Sequence, residues 1–174
     1  MGENTIAYSA DTPGNARMPV PLKRHRAFNV IVYGGLTAGA LDALDAVTFF
    51  GLRGISPIRI FQHIASGLLG RASFSGGLKT VLLGLVLHFQ IAFIIATVYY
   101  GASLVLPTLI RHPFVWGPIY GVVAYFMMNR VVIPLSAASH GPVSLPVLLN
   151  GLLIHALGVG LPIALFARRS AKVN

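Results

Sequence analysis

The sequence predicts an all-α fold: a polytopic membrane protein built as a four-helix transmembrane bundle with a short external amphipathic helix. Three observations predict it. The 174-residue chain is 55% hydrophobic and only 10% charged, whereas soluble domains carry about 25% charged residues. Four apolar runs, at 28–50, 78–100, 113–133 and 146–167, each reach the roughly 20 residues that a bilayer core of about 30 Å demands of a helix. Between them stand helix breakers: Gly51, Gly54 and Pro57, then Pro107 and Pro113, then Pro134, Gly141 and Pro142.

Residues 1–27 form a polar tail with Pro13, Gly14, Pro19 and Pro21 that ends in the basic cluster Lys23-Arg24-His25-Arg26. This is the pattern of a cytoplasmic tail closing on a topology signal. A cleaved signal peptide does not fit, because the charged region is too long and the apolar sequence continues to Phe50. Residues 168–174 read as a second basic cytoplasmic tail. The Lys and Arg residues on the side of the termini are Arg17, Lys23, Arg24, Arg26, Arg111, Arg168, Arg169 and Lys172. The other side holds Arg53, Arg59, Arg71, Lys79 and Arg130. The excess places both termini in the cytoplasm. A net charge of +9 without a long basic run points to anionic lipid head groups, or to flanks that only set topology, and away from nucleic acid. The absence of cysteine removes disulfides, thiolate metal sites and cysteine nucleophiles.

The first external segment contains an amphipathic stretch at 57–70. Ile58, Phe61, Ile64, Ala65, Leu68 and Leu69 recur at helical spacing, and Arg59, Gln62, His63 and Ser66 form the opposite polar stripe. Two readings stand: an interfacial helix lying on the outer membrane surface, or a loop helix packed over the mouth of the bundle.

The spans carry small residues in stripes. Gly35, Gly39, Asp42 and Ala46 share one face of the first span, and Thr80, Gly84, His88, Ala92 and Ala96 one face of the second. Gly117, Gly121 and Ala124 mark the third, and Gly151, His155, Gly158 and Pro162 the fourth. Small residues mark where transmembrane helices approach one another, so Asp42, His88 and His155 are expected to face the bundle interior. An ionisable group at membrane depth is costly without a partner or a wet cavity, which makes it a functional-site candidate. With a rise of about 1.5 Å per residue, His88 and His155 fall near mid-span, and Asp42 slightly outward. Asp45, Arg130 and Asn150 lie nearer the external surface. Asp45 is expected to pair with Arg130, with Arg53 as the competing partner, because a carboxylate in low dielectric prefers an opposite charge. Asp42, His88, His155 and Asn150 are the candidates for a binding site or pathway. The runs 81–88 and 148–155 place Gly and His in register, the pattern of a parallel duplication.

Several chemistries can use these residues. Two histidines at matching depth are the arrangement a b-type haem needs. The same histidines with Asp42 suit a proton or small-solute path. A divalent-metal site lacks further membrane carboxylates, and neither a Gly-x-Ser-x-Gly element nor a nucleotide-binding motif is present.

The segments Gly39-x-Leu41-Asp42, Gly51-Leu52-Arg53-Gly54-x-Ser56-Pro57, Gln62-x-Ile64-Ala65-Ser66-Gly67-Leu68-Leu69-Gly70, Leu87-His88-Phe89 and Met128-Asn129-x-Val131-Val132-x-Pro134-Leu135-Ser136 together resemble small uncharacterised four-span inner-membrane proteins of proteobacteria, and more distantly the YagU-like family. The resemblance implies a bacterial inner-membrane location and no known activity. It also implies that Asp42, the 62–70 segment, His88 and Asn129 belong to the family's pattern. The expected function is a non-enzymatic membrane protein whose polar core binds a small ligand or moves protons. The alternatives are an accessory subunit packing by its glycine faces on another membrane protein or a second copy, and a b-haem or quinone redox protein.

Overall fold

The structure, a computed structural model, describes residues 27–139 and 141–172; the basic cluster at 23–26 and the rest of the N-terminal tail lie outside the described residues. Among the described residues there is no strand, and four helices are long and apolar enough to cross a membrane: α1 (Asn29–Gly51), α3 (Gly77–Val105), α5 (Pro113–Leu135) and α6 (Leu145–Ala171). A shorter helix α2 (Pro57–Leu69) follows the first span, and one turn, α4 (Thr108–Arg111), joins the second to the third. The spans run longer than expected. α3 continues past residue 100, and the last helix remains helical to Lys172, so Arg168 and Arg169 occupy its final turns and not a separate tail.

The surface is inverted relative to a water-soluble bundle. Large apolar residues such as Leu44, Leu82, Val86, Ile94, Leu149 and Leu153 are exposed, while Gly and Ala make most of the helix contacts. Contiguous apolar surface of this extent belongs in lipid, and the chain is a multi-pass membrane protein.

Glycine sets the packing because lipid supplies no hydrophobic force between helices, and close van der Waals approach has to replace it. A side chain at Gly121 would run into the backbone carbonyl of His155, and one at Gly160 into the carbonyl of Gly117. α5 and α6 therefore touch backbone to backbone. Gly35 and Gly39 admit the rings of Phe93 and Phe89, and Gly84 admits the carbonyl of Phe61 from α2. Around the bundle α1 packs on α3 and α6, and α6 packs on α5, but α3 and α5 scarcely touch.

Two proline positions shape the spans further. Proline cannot donate to the helix ladder and crowds the carbonyl four residues before it. Widened π-helical turns precede both: Met128–Val132 ahead of Pro134, and His155–Gly160 ahead of Pro162. π-Turns relieve such crowding, and they recur at functional sites.

The half of the bundle nearer the termini is dry. Val30, Ala38, Ala96, Tyr99, Val159, Ile163 and Ala164 form one buried cluster. The hydroxyl of Tyr99 donates to Leu109 O at 3.0 Å, and that of Tyr120 to Ile95 O at 2.6 Å. This packing predicts opposite outcomes for two glycines. Gly121→Ala forces α5 off the His155 carbonyl and should destabilise the protein by about 1–3 kcal/mol. Gly101→Ala, with nothing within 4 Å of the new methyl, should be neutral or stabilising by about 0.5–1 kcal/mol. Reversible unfolding in mixed detergent micelles measures both.

Candidate functional site

Asp42, His88 and His155 come from three different spans and converge on one cavity of about 220 Å³. Asn129 joins them from α5, and Ile64 reaches in from α2. The floor is Ala38 and Val159, which belong to the dry cluster below. Each polar residue arrives there for a local reason. Gly39 lets α3 approach closely enough for His88 Nε2 to lie 2.8 Å from Gly39 O. Gly121 lets α5 close on the turn that carries His155. The π-turn at Met128–Val132 rotates Asn129 inward, where its Nδ2 donates to Tyr125 O at 2.9 Å.

The hydrogen bonds fix the tautomers. A carbonyl oxygen only accepts, so the ring nitrogen facing it carries the proton. His88 therefore donates from Nε2 to Gly39 O. His155 donates from Nδ1 to Gly151 O at 3.0 Å. The remaining nitrogens, Nδ1 of His88 and Nε2 of His155, make no hydrogen bond among the described residues. Asp42 Oδ1 lies 3.7 Å from His155 Nδ1, beyond the roughly 2.7–2.9 Å of a charge-assisted bond. Asp42 accepts no hydrogen bond from any described residue, so the cavity holds one carboxylate and two imidazoles with acceptor capacity unused.

The partner expected for Asp45 is corrected. Its Oδ2 accepts from Asn150 Nδ2 at 2.7 Å, tying α1 to α6, and no ion pair with Arg130 or Arg53 forms among the described residues. Arg53 instead folds back on its own helix, with its guanidinium 3.5 Å over the Phe49 ring and Nη1 donating to Phe49 O at 2.9 Å. Arg130 lines a separate space of about 610 Å³ beside His63, Asn129 and Ser139. Similar depth did not imply contact, because the part of α5 that carries Arg130 does not pack on α1. Asn150, expected in the pathway, is occupied by Asp45.

The amphipathic stretch is packed on the bundle along one side. α2 starts at Ser56-Pro57, with Ser56 Oγ accepting from Arg59 N at 3.4 Å. Its polar residues then divide. Gln62 and Ser66 are buried against the bundle, Gln62 Nε2 reaching Thr80 Oγ1 at 3.4 Å and Ser66 Oγ donating to His63 O at 2.6 Å. Arg59 and His63 remain exposed near the Phe74 ring. At the far end of α2 the N–H of Ala137 donates to Gly67 O at 2.9 Å. The helix is thus fastened between α3 and the turn after α5, over the cavity that Ile64 enters. This is the packed-over-the-mouth reading, and the outward residues Ile58, Leu68 and Leu69 are apolar.

A six-coordinate haem does not fit. Its two axial imidazoles would face each other across the macrocycle, whereas His88 turns Nε2 into the backbone of α1 and Ile91, Ile95 and Met128 fill the walls between the spans. Sequence reasoning passed over the placement of Asn129 and Ile64. Asn129 is visible as a polar residue, but the π-turn that rotates it changes the helical register on which a face assignment depends.

The Asp45–Asn150 bond should register in a double-mutant cycle. Asp45→Ala and Asn150→Ala are expected to couple by about 0.6–1.7 kcal/mol, between the mean and the maximum for polar contacts between membrane helices. Arg130→Ala combined with Asp45→Ala should be additive within about 0.5 kcal/mol. Micellar unfolding of the single and double variants distinguishes the two partners.

No family model matches the chain, and no curated protein or solved structure matches it either.

Proposed function

We propose that this membrane protein is a ligand-binding protein whose bundle core exchanges a proton at Asp42, in a site reached from the end opposite the termini. The observation that carries this reading is the convergence of Asp42, His88 and His155 on one cavity, where the carboxylate lies 3.7 Å from His155 Nδ1 and accepts no hydrogen bond from a described residue. Imidazoles change protonation near neutral pH, and a carboxylate beside them can exchange a proton with them or with water. A partly buried carboxylate at membrane depth draws further partners from within the cavity, either water or a bound molecule. Asn129 and Ile133 are shared walls between this cavity and the larger space at Arg130 and His63, which gives water and protons an approach from the loop end. The packed floor, with Val30, Ala38 and Ile163 at zero exposure, favours a one-sided binding site over a path through the bundle. The surplus of Lys and Arg near the termini supports both termini on the cytoplasmic side, and the membrane proposed for the chain is a bacterial inner membrane.

The accessory-subunit reading loses its expected surface. The stripes at Gly35/Gly39, Gly84, Gly117/Gly121 and Gly151 are filled by this chain's own side chains and backbone, so the glycine faces are not free for a partner.

The native chain lacks cysteine, so single-cysteine variants report accessibility without background. Asn129→Cys in oriented vesicles should react with a membrane-impermeant maleimide from the loop side only, while Ile163→Cys should react from neither. Infrared spectra of the reconstituted protein across a pH series should contain a titrating carboxyl band that disappears in Asp42→Asn. A silent Asn129→Cys together with unchanged spectra for Asp42→Asn would sink the proposal. In proteoliposomes loaded with a pH-sensitive dye, an imposed pH gradient should decay no faster than in empty liposomes.

A further inference from the structure

The seam between α3 and α5 borders the site from the side. These two spans scarcely touch, and between them runs a groove of about 330 Å³ walled by Ile94, Val98, Val123 and Met127, all more than half exposed on the outer face of the bundle. Its inner wall is Ile91, Ile95 and Met128, and the same three residues line the cavity of Asp42, His88 and His155. The bond from Tyr120 to Ile95 O bridges the two spans and limits the seam toward the termini. A lipid-facing apolar groove and a polar cavity thus share one wall of flexible aliphatic side chains and a methionine, the residue type that adapts most readily to a ligand.

We infer that the site receives a single-chain membrane lipid with an uncharged, hydroxyl-bearing head, its chain in the α3–α5 groove and its head at Asp42, His88 and His155. This rests on the binding-site reading above and names the ligand class. The head chemistry follows from the hydrogen-bond inventory. With Nε2 of His88 and Nδ1 of His155 committed to carbonyls, the neutral imidazoles have only acceptor nitrogens left, and the Asp42 carboxylate is an acceptor as well. Acceptors outnumber donors in the cavity, where the second N–H of Asn129 Nδ2 is left beyond its bond to Tyr125 O, and hydroxyl groups supply further donors. A phosphate or carboxylate head would place a second negative charge beside Asp42 in a mostly apolar pocket, which low dielectric penalises. An uncharged head also crosses the hydrocarbon region at far lower cost than an ionic one. Apolar contact along the groove holds the chain, and donors in the cavity select the head.

The test uses the full-length protein in liposomes with three photoactivatable C16 probes bearing the same diazirine in the chain: a monoacylglycerol, the corresponding fatty acid, and its methyl ester. The monoacylglycerol should label peptides containing Ile94, Val98, Val123 or Met127, at least fivefold above the methyl ester, which lacks a donor, and above the fatty acid. Val123→Trp fills the groove from its exposed side and should cut that labelling at least fivefold; Val86→Trp, on an exposed position outside the groove, should leave it unchanged. Asp42→Leu should remove the preference for the monoacylglycerol over the ester. Labelling spread equally over Leu82, Val86, Leu149 and Leu153, or equal for all three probes, overturns the inference and identifies ordinary annular lipid. If that happens while the Asp42 carboxyl band still titrates, the binding-site reading stands and only the ligand class fails. Loss of both removes both.

Discussion

Backbone-to-backbone contact between α5 and α6 is the constraint from which the rest of the structure follows. In lipid, apolar side chains gain nothing by leaving the solvent, so helices hold together by close packing and by satisfying polar groups. Gly117, Gly121 and Gly160 let the third span lie directly on the turn that carries His155. That contact fixes the depth and direction of His155. The matching contacts at Gly35 and Gly39 bring α3 against α1 and hold His88 on the Gly39 carbonyl. The site is therefore a consequence of where glycine lets backbones meet.

The same packing divides the bundle into two halves of different character. Toward the termini, Tyr99, Ile163 and Ala164 close a dry core. Toward the loops, Pro134 follows the widened π-turn that carries Asn129, and the π-turn ahead of Pro162 carries His155 at mid-span, so both turns border the cavity. α2 crosses this mouth, held at one end by its contact with Gly84 and at the other by Ala137. Its Gln62 and Ser66 satisfy their polar groups inside the protein, which leaves its apolar residues for the outside. For a helix packed on a membrane bundle this orientation is the economical one, since burying polar groups against partners avoids exposing them to hydrocarbon.

Helical periodicity was enough to find the four spans, the breakers and the inward faces of Asp42, His88 and His155, because each of those features repeats at a local spacing on one helix. Asp45 shows where that reasoning stops. Its depth matches Arg130, yet its partner is Asn150, since which spans are neighbours is not encoded in the periodicity of either one. The 57–70 stretch shows a related limit. Its two faces are legible as different, but which face meets the bundle depends on Thr80 being close enough to receive Gln62. Asn129 adds a third: a π-turn adds a residue to the turn, so the register used to assign faces no longer applies past it.

The sequence by itself determined that this chain is a four-span, all-α membrane protein with an ionisable interior, because hydropathy, breakers and small-residue stripes are properties of contiguous residues. Only the tertiary structure decided the ring of neighbours, with α1 and α6 between α3 and α5. It also decided the loosely packed seam between those two spans, the tautomers of both histidines and the placement of the Asp42 carboxylate beside His155. Those depend on distances between atoms remote in the chain. They are set by which glycines meet which backbone, and a single helix, read alone, carries no record of that.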